Sequence, residues 1–152
     1  MRLTFVKLGK VVFEEIQILV DMYEQRLTGF ATIQTSILKD SSSGNSPSTL
    51  TAPLKKLLDQ ADYVVGLHEH GGQWSSPEFA QKIKKWQGDP AIKHLCFLVG
   101  GPFGWGPDIE SQIDVKWSLS SCTLQGDIAW LVLWEQMYRA SAILKGSSYH
   151  HG

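Results

Sequence analysis

The sequence predicts an α/β protein: a mostly parallel sheet flanked by helices, in one domain spanning residues 1–152. Three observations carry this reading. Strand-like and helix-like stretches alternate along the chain. The run Leu95-Cys96-Phe97-Leu98-Val99 is continuously apolar, as a parallel strand covered on both faces must be. The step Ser75-Ser76-Pro77-Glu78 is a helix start, with a serine to cap and a proline where a missing N–H costs nothing.

The elements follow in order. Leu3 to Leu8 is a short strand ending at Gly9. Val11 to Leu27 is a helix with apolar residues at Val12, Ile16, Leu19, Val20 and Tyr23. Phe30 to Leu38 alternates apolar with polar residues and reads as a second strand. Asp40 to Thr51, rich in Ser, Gly, Asn and Pro, is expected to be a mobile loop. Neither side of it is large enough for its own core, so it does not divide the chain into domains. Pro53 to Gln60 is a short helix, and Tyr63 to Leu67 an apolar strand. The helix begun at Ser75 or Ser76 runs to about Trp86, where Gly88-Asp89-Pro90 stops it. Lys93 to Val99 is the buried strand, Trp117-Ser118-Leu119 a last short one, and Asp127 to Lys145 a long helix with Asp127 at its N-cap. In such sheets ligands bind beyond the carboxyl ends of the strands, which directs attention to the loops after Leu67, Val99 and Leu119.

Composition narrows the function classes. The chain is 43% hydrophobic and 19% charged, enough for an ordinary soluble core. Its net charge of -1 excludes a global basic field, so any nucleic-acid partner is read by a local patch or by shape. Cys96 and Cys122 stand far apart in no paired motif, which predicts two buried thiols in a reducing compartment. The apolar start is too short for a signal peptide and no run reaches membrane-spanning length, so a cytoplasmic protein is expected. His68 with His70, and His150 with His151, lack the Asp or Cys spacing of a metal site, and no metal is expected.

Three stretches stand out. Gly100-Gly101-Pro102-Phe103-Gly104-Trp105-Gly106-Pro107 follows the buried strand; its glycines admit either a close-lying ligand or a tight structural turn. Its spacing matches neither a dinucleotide fingerprint nor a phosphate loop. Trp117 to Gln125 is small and polar, with backbone groups available to a polar ligand such as an adenine edge. Glu135 and Arg139 are spaced to pair on one helix face, where the plain alternative is a weak surface ion pair. The preceding Ile128 to Trp134 is apolar all round, which predicts burial or a cover for another subunit.

Together these residues resemble the ribosomal large-subunit methyltransferase H family of the SPOUT class. The resemblance rests on Leu95 to Pro102, on Trp117-Ser118-Leu119-Ser120 with Thr123-Leu124, on Glu135 with Tyr138-Arg139-Ala140, and on Tyr149-His150. Leu67 to Trp86 fits as well, with Gly72, Trp74, Ser76 and Pro77 in order. It is strong from Tyr63 onward and thin before Gln60. It implies a C-terminal trefoil knot, which periodicity does not reveal and general folding rules disfavour. It also implies a homodimer, and methyl transfer from S-adenosylmethionine to N3 of a pseudouridine in large-subunit rRNA on the assembled ribosome. By position, the cofactor falls to Leu67, to Gly100 and Gly101, and to Leu119-Ser120-Ser121-Cys122-Thr123-Leu124-Gln125. Arg139, Tyr149 and His150 fall near the target base: Arg139 to hold phosphate or rRNA oxygen, Tyr149 or His150 to orient the base or remove its proton.

The sequence departs from the family at Gln125-Gly126, where Pro-His is usual, at Trp130, where Arg is usual, and in the serine-rich loop, which is normally rich in Lys and Gly. These departures remove charge where rRNA contacts are expected. They leave open a degenerate SPOUT protein that binds cofactor or ribosome without turnover, or a methyltransferase acting on tRNA.

Overall fold

A computed structural model describes residues 1–151. Its sheet has five strands, all parallel, in the order β2-β1-β4-β3-β5. These are β1 (Arg2–Leu8), β2 (Thr32–Leu38), β3 (Tyr63–Gln73), β4 (His94–Val99) and β5 (Val115–Ser118). The helices are α1 (Glu14–Arg26), α2 (Ala52–Asp59), α3 (Ser76–Gly88), the single turn α4 (Pro107–Glu110) and α5 (Gly126–Lys145). The strand and helix pattern of the sequence is therefore that of the molecule, in a parallel α/β sheet.

Period-2 geometry divides the core. Leu95, Phe97 and Val99 of β4 join one apolar cluster with Phe5, Phe79, Trp117 and Trp134; Cys96 and Leu98 join another with Leu54, Leu58, Trp105 and Ile109. Helices α1, α3 and α5 cover the first face, α2 and α4 the second. β4 is buried at every position, as its apolar run predicts. Burial pushes the Cys96 thiol up to about 12, leaving it inert, whereas Cys122 is exposed. The expectation of two buried thiols holds for Cys96 only.

Helix α3 begins as predicted. The Ser75 hydroxyl accepts from the Glu78 amide, and the Glu78 carboxylate accepts from the Ser75 amide at 2.7 Å, closing a capping box. Strand β2 starts two residues later than expected and β5 two residues earlier, and three further differences bear on the site. Helix α1 starts at Glu14, three residues later than expected, because Val12 and Phe13 give their amides to Asp127 rather than to a helix. Strand β3 runs on to Gln73: both Leu67 and Gly72 pair with Trp117, and the residues between bulge out. Gly71 is required there, since a Cβ would lie 2.7 Å from the Lys116 backbone.

The third difference is at α5. Its N-cap is Gln125, whose side-chain oxygen accepts from the amides of Asp127 at 2.7 Å and Ile128 at 3.2 Å. Asp127 is not the cap; it is turned inward and buried. Trp130 and Trp134 are also fully buried, Trp134 stacked on Phe5 at 4.1 Å between centroids. The chain's own sheet hides both tryptophans, so no second subunit is needed to cover them.

Asp127 forms a buried ion pair with Lys7, Nζ to Oδ1 3.3 Å, with side chains 2% and 6% exposed. Lys7 also donates to the carbonyls of Gly9 and Lys10. Burial raises the Asp127 pKa, but the Phe13 and Val12 amides and the Lys7 amine outweigh it, and the net shift is downward. Its stabilisation is thus complete above the usual carboxylate range and is lost as pH falls through the lowered pKa. Asp127→Ala strands a buried ammonium and should cost about 3–5 kcal/mol in denaturant unfolding, with Lys7→Met in the same chain recovering only the part not due to the unpaired Val12 and Phe13 amides. An unchanged unfolding midpoint for the single variant would contradict this.

Candidate active site

Beyond the carboxyl ends of β1, β3, β4 and β5 lies one cleft of about 600 Å³, within the usual range for small-molecule sites. Leu67 borders it, and because Leu67 pairs with Val99, Gly100 and Gly101 of the glycine loop lie alongside. Leu119 and Ser120, then Cys122, Thr123, Leu124 and Gln125, form the third wall. Of the ten residues the sequence assigns to cofactor, Ser121 alone is outside the lining. Between β5 and α5, the amides of Ser121, Thr123 and Leu124 reach no acceptor among the described residues, whereas the Cys122 amide is taken by the Ser120 hydroxyl at 2.9 Å. An open, small-residue backbone at a cleft wall is what a hydrogen-bonding ligand requires.

Five charged groups of the lining, Lys7, Lys10, Asp40, Glu69 and Asp127, were not assigned to a site from the sequence. A lysine inside the apolar strand Leu3 to Leu8 was the available signal for the first. The Lys7–Asp127 pair holds the β1–α1 connection against the start of α5, so two distant segments share one wall.

Asp40 explains the glycine loop. A Cβ on Gly101 would lie well inside van der Waals contact distance of its Oδ2, and one on Gly100 would sit 2.9 Å from the Trp105 ring. Gly101 is thus small because a carboxylate lies against it, a third alternative to a ligand or a turn. Burial raises the Asp40 pKa, but hydrogen bonds from Ser42 and Ser48 outweigh it and hold the carboxyl below its usual range. The serine-rich segment is correspondingly anchored. Ser48 donates its amide to Gly104 at 3.1 Å and accepts from Gly106 at 2.8 Å, and Leu50 donates to Asp108.

The second cluster is elsewhere. Arg139 binds Glu135 through Nε at 3.0 Å and Nη2 at 2.5 Å, both groups about a quarter exposed, so the pair is firmer than a solvated surface pair. The Tyr149 hydroxyl donates to the same Glu135 oxygen at 3.1 Å, and Arg139 lies 4.8 Å over the Tyr149 ring. Burial, the Tyr23 hydroxyl and the Glu135 charge all raise the Tyr149 pKa, which suits an orienting group rather than a proton acceptor. Arg139 can only donate, so His150 accepts through Nδ1, at 3.4 Å. The three residues assigned to the target base are therefore together. They are not at the cleft: Arg139 is ten residues beyond the cleft-lining Ala129, about 15 Å along α5. Trp130, where charge was expected, faces the core.

A family model described as "Predicted SPOUT methyltransferase" matches residues 1–150, and the chain belongs to that family. The class uses S-adenosylmethionine as methyl donor. Within it, the chain is similar to proteins named ribosomal RNA large subunit methyltransferase H. That of Maridesulfovibrio salexigens is 32% identical over 154 residues, covering 99% of this chain and 98% of the relative. That of Christiangramia forsetii is 31% identical over 157 residues, covering 99% of each. That of Kosmotoga olearia is 47% identical over 96 residues, covering 63% and 61%.

The cleft fits the methyl donor. Leu67, Leu119 and Leu124 could hold an adenine by apolar contact, the free amides of Thr123 and Leu124 could donate to it, and Asp40 and Glu69 could face a cationic donor. Gly101→Val must displace Asp40 and should remove calorimetric binding of S-adenosylmethionine while the circular dichroism spectrum is kept. Undiminished affinity would show that the glycine loop does not shape this site.

Proposed function

We propose that this chain is a single-domain cytoplasmic enzyme that methylates N3 of a pseudouridine in large-subunit rRNA, on the assembled ribosome, as a homodimer with a knotted C-terminal half. The relatives' names support the rRNA target. The observation that carries the reading is the separation of two residue sets along α5: a cleft suited to the methyl donor, and an Arg–Tyr–His cluster suited to a nucleotide.

The separation itself argues for the dimer. A cleft and a target cluster about 15 Å apart on one helix act together only if the cleft of one protomer faces the cluster of its partner. Val12, Phe13 and Ile128 support this. They are 66%, 48% and 40% exposed, and lie together where the Val12 and Phe13 amides meet Asp127 at the start of α5.

S-adenosylmethionine supplies an electrophilic methyl group, for which the protein need only place a nucleophilic nitrogen and take its proton. Arg139, fixed by Glu135, holds an rRNA phosphate or carbonyl oxygen. Tyr149, bonded to Glu135, orients the base. His150 takes the N3 proton once its Nδ1 is released from Arg139. Burial of Trp130 removes one objection to activity, since a side chain there faces the core and not an RNA.

The experiment is labelled-methyl transfer from S-adenosylmethionine to ribosomes lacking rRNA pseudouridine methylation, with free tRNA in parallel. Label on large-subunit rRNA is the expected result; label on tRNA alone, or on neither, overturns the proposal. Arg139→Ala should leave cofactor affinity unchanged and lower turnover by at least about a hundredfold. Unchanged turnover would make the Glu135–Arg139 pair purely structural.

A further inference from the structure

The carboxyl-terminal ends of α1 and α5 carry charges that the roles given above leave unused. Arg26 lies 6.0 Å from the Tyr23 ring centroid and 5.6 Å from that of Tyr138. Lys145 lies 5.7 Å from the ring centroid of Phe30, in the connection after α1. The rings run on to the Arg139 cluster: Tyr23 to Tyr138 is 5.7 Å, and Tyr138 to Tyr149 is 4.7 Å edge-on. Arg139 over Tyr149 completes the row.

Arg26 and Lys145 are exposed, and neither has a carboxylate within 4.0 Å among the described residues. Two carboxylates of these helices are engaged elsewhere. Glu24 accepts from Thr35 at 3.0 Å, and Glu135 holds Arg139. Arg26, Arg139 and Lys145 still outnumber Glu24 and Glu135, so the face is locally cationic in a chain whose net charge is -1. Aromatic rings beneath the cations hold them at the surface without neutralising them.

We propose that Arg26 and Lys145 bind RNA phosphates, extending the target site from Arg139 along the seam of α1 and α5. Charge decides the partner: cations without carboxylate partners, set among aromatic rings, fit a polyanion with stackable bases better than another protein surface. The inference rests on the RNA-methyltransferase reading and adds the path by which the RNA reaches it. From Arg139 to Lys145 is six residues, about 9 Å along the helix, so the row reaches phosphates beyond the target nucleotide. It answers how a chain without a basic field holds a ribosomal target.

The test compares wild type, Arg26→Ala, Lys145→Ala and the double variant for binding to large ribosomal subunits over a range of salt. Each lost phosphate contact should flatten the slope of log affinity against log salt by roughly one, so the double variant by about two. The KM for the particle should rise, while calorimetric affinity for S-adenosylmethionine and the dimer mass from light scattering stay as in wild type. An unchanged salt slope in the double variant overturns the proposal. Dissociation of the dimer also overturns it, because the residues would then face protein. Wild type that binds the cofactor but no large subunit would instead sink the functional reading on which the inference stands.

Discussion

The ion pair between Lys7 and Asp127 joins the first strand to the last helix, and the cleft depends on that junction. Lys7 comes from β1 and Asp127 from α5, and each spends its remaining hydrogen-bonding capacity on the backbone of the connection between β1 and α1. A buried pair of this kind contributes little net stability compared with apolar residues of the same size. What it contributes is a fixed relation between two segments that meet at one wall of the site. Asp40 lies beside that junction, holding Ser42 and Ser48 of the serine-rich segment and packing against Gly101.

A second constraint is the rigidity of α5. Its N-terminal turn borders the cleft, its middle is packed into the sheet through Trp130, Trp134 and Met137, and its later turns carry Arg139. A helix packed so firmly cannot bend its last turns back to its first. On the proposed reading, chemistry that needs both ends draws them from two molecules. The proposed dimer thereby has a catalytic reason besides the cover it gives Val12, Phe13 and Ile128, since the tryptophans are already inside.

Much of this was legible in the chain. The apolar run of β4 and the capping box at Ser75 are local signals, governed by burial on two faces and by one turn of backbone, and both appear in the structure as read. The clustering of Arg139 with Tyr149 and His150 was legible through family resemblance, as was the place at one cleft of Leu67 and of the 119–125 segment apart from Ser121. What was missed is polar and long-range. Asp127 has the composition of a helix cap, and only the distant Lys7 makes it a buried anion. The serine-rich segment has the composition of a mobile loop, and its anchoring depends on Gly104 and Gly106, far along the sequence. A contact between segments that remote leaves no periodicity in either one.

The central claim, that each active site takes its cleft from one subunit and its target-binding cluster from the other, is tested by mixing two inactive proteins. Gly101→Val subunits keep the cluster and lose the cleft; Arg139→Ala subunits keep the cleft and lose the cluster. After unfolding and co-refolding in equal amounts, a shared site predicts recovery of about a quarter of wild-type turnover, from one intact site in each mixed dimer. No recovery, from mixed dimers shown to have formed, would place both halves of the site in a single chain and contradict the account.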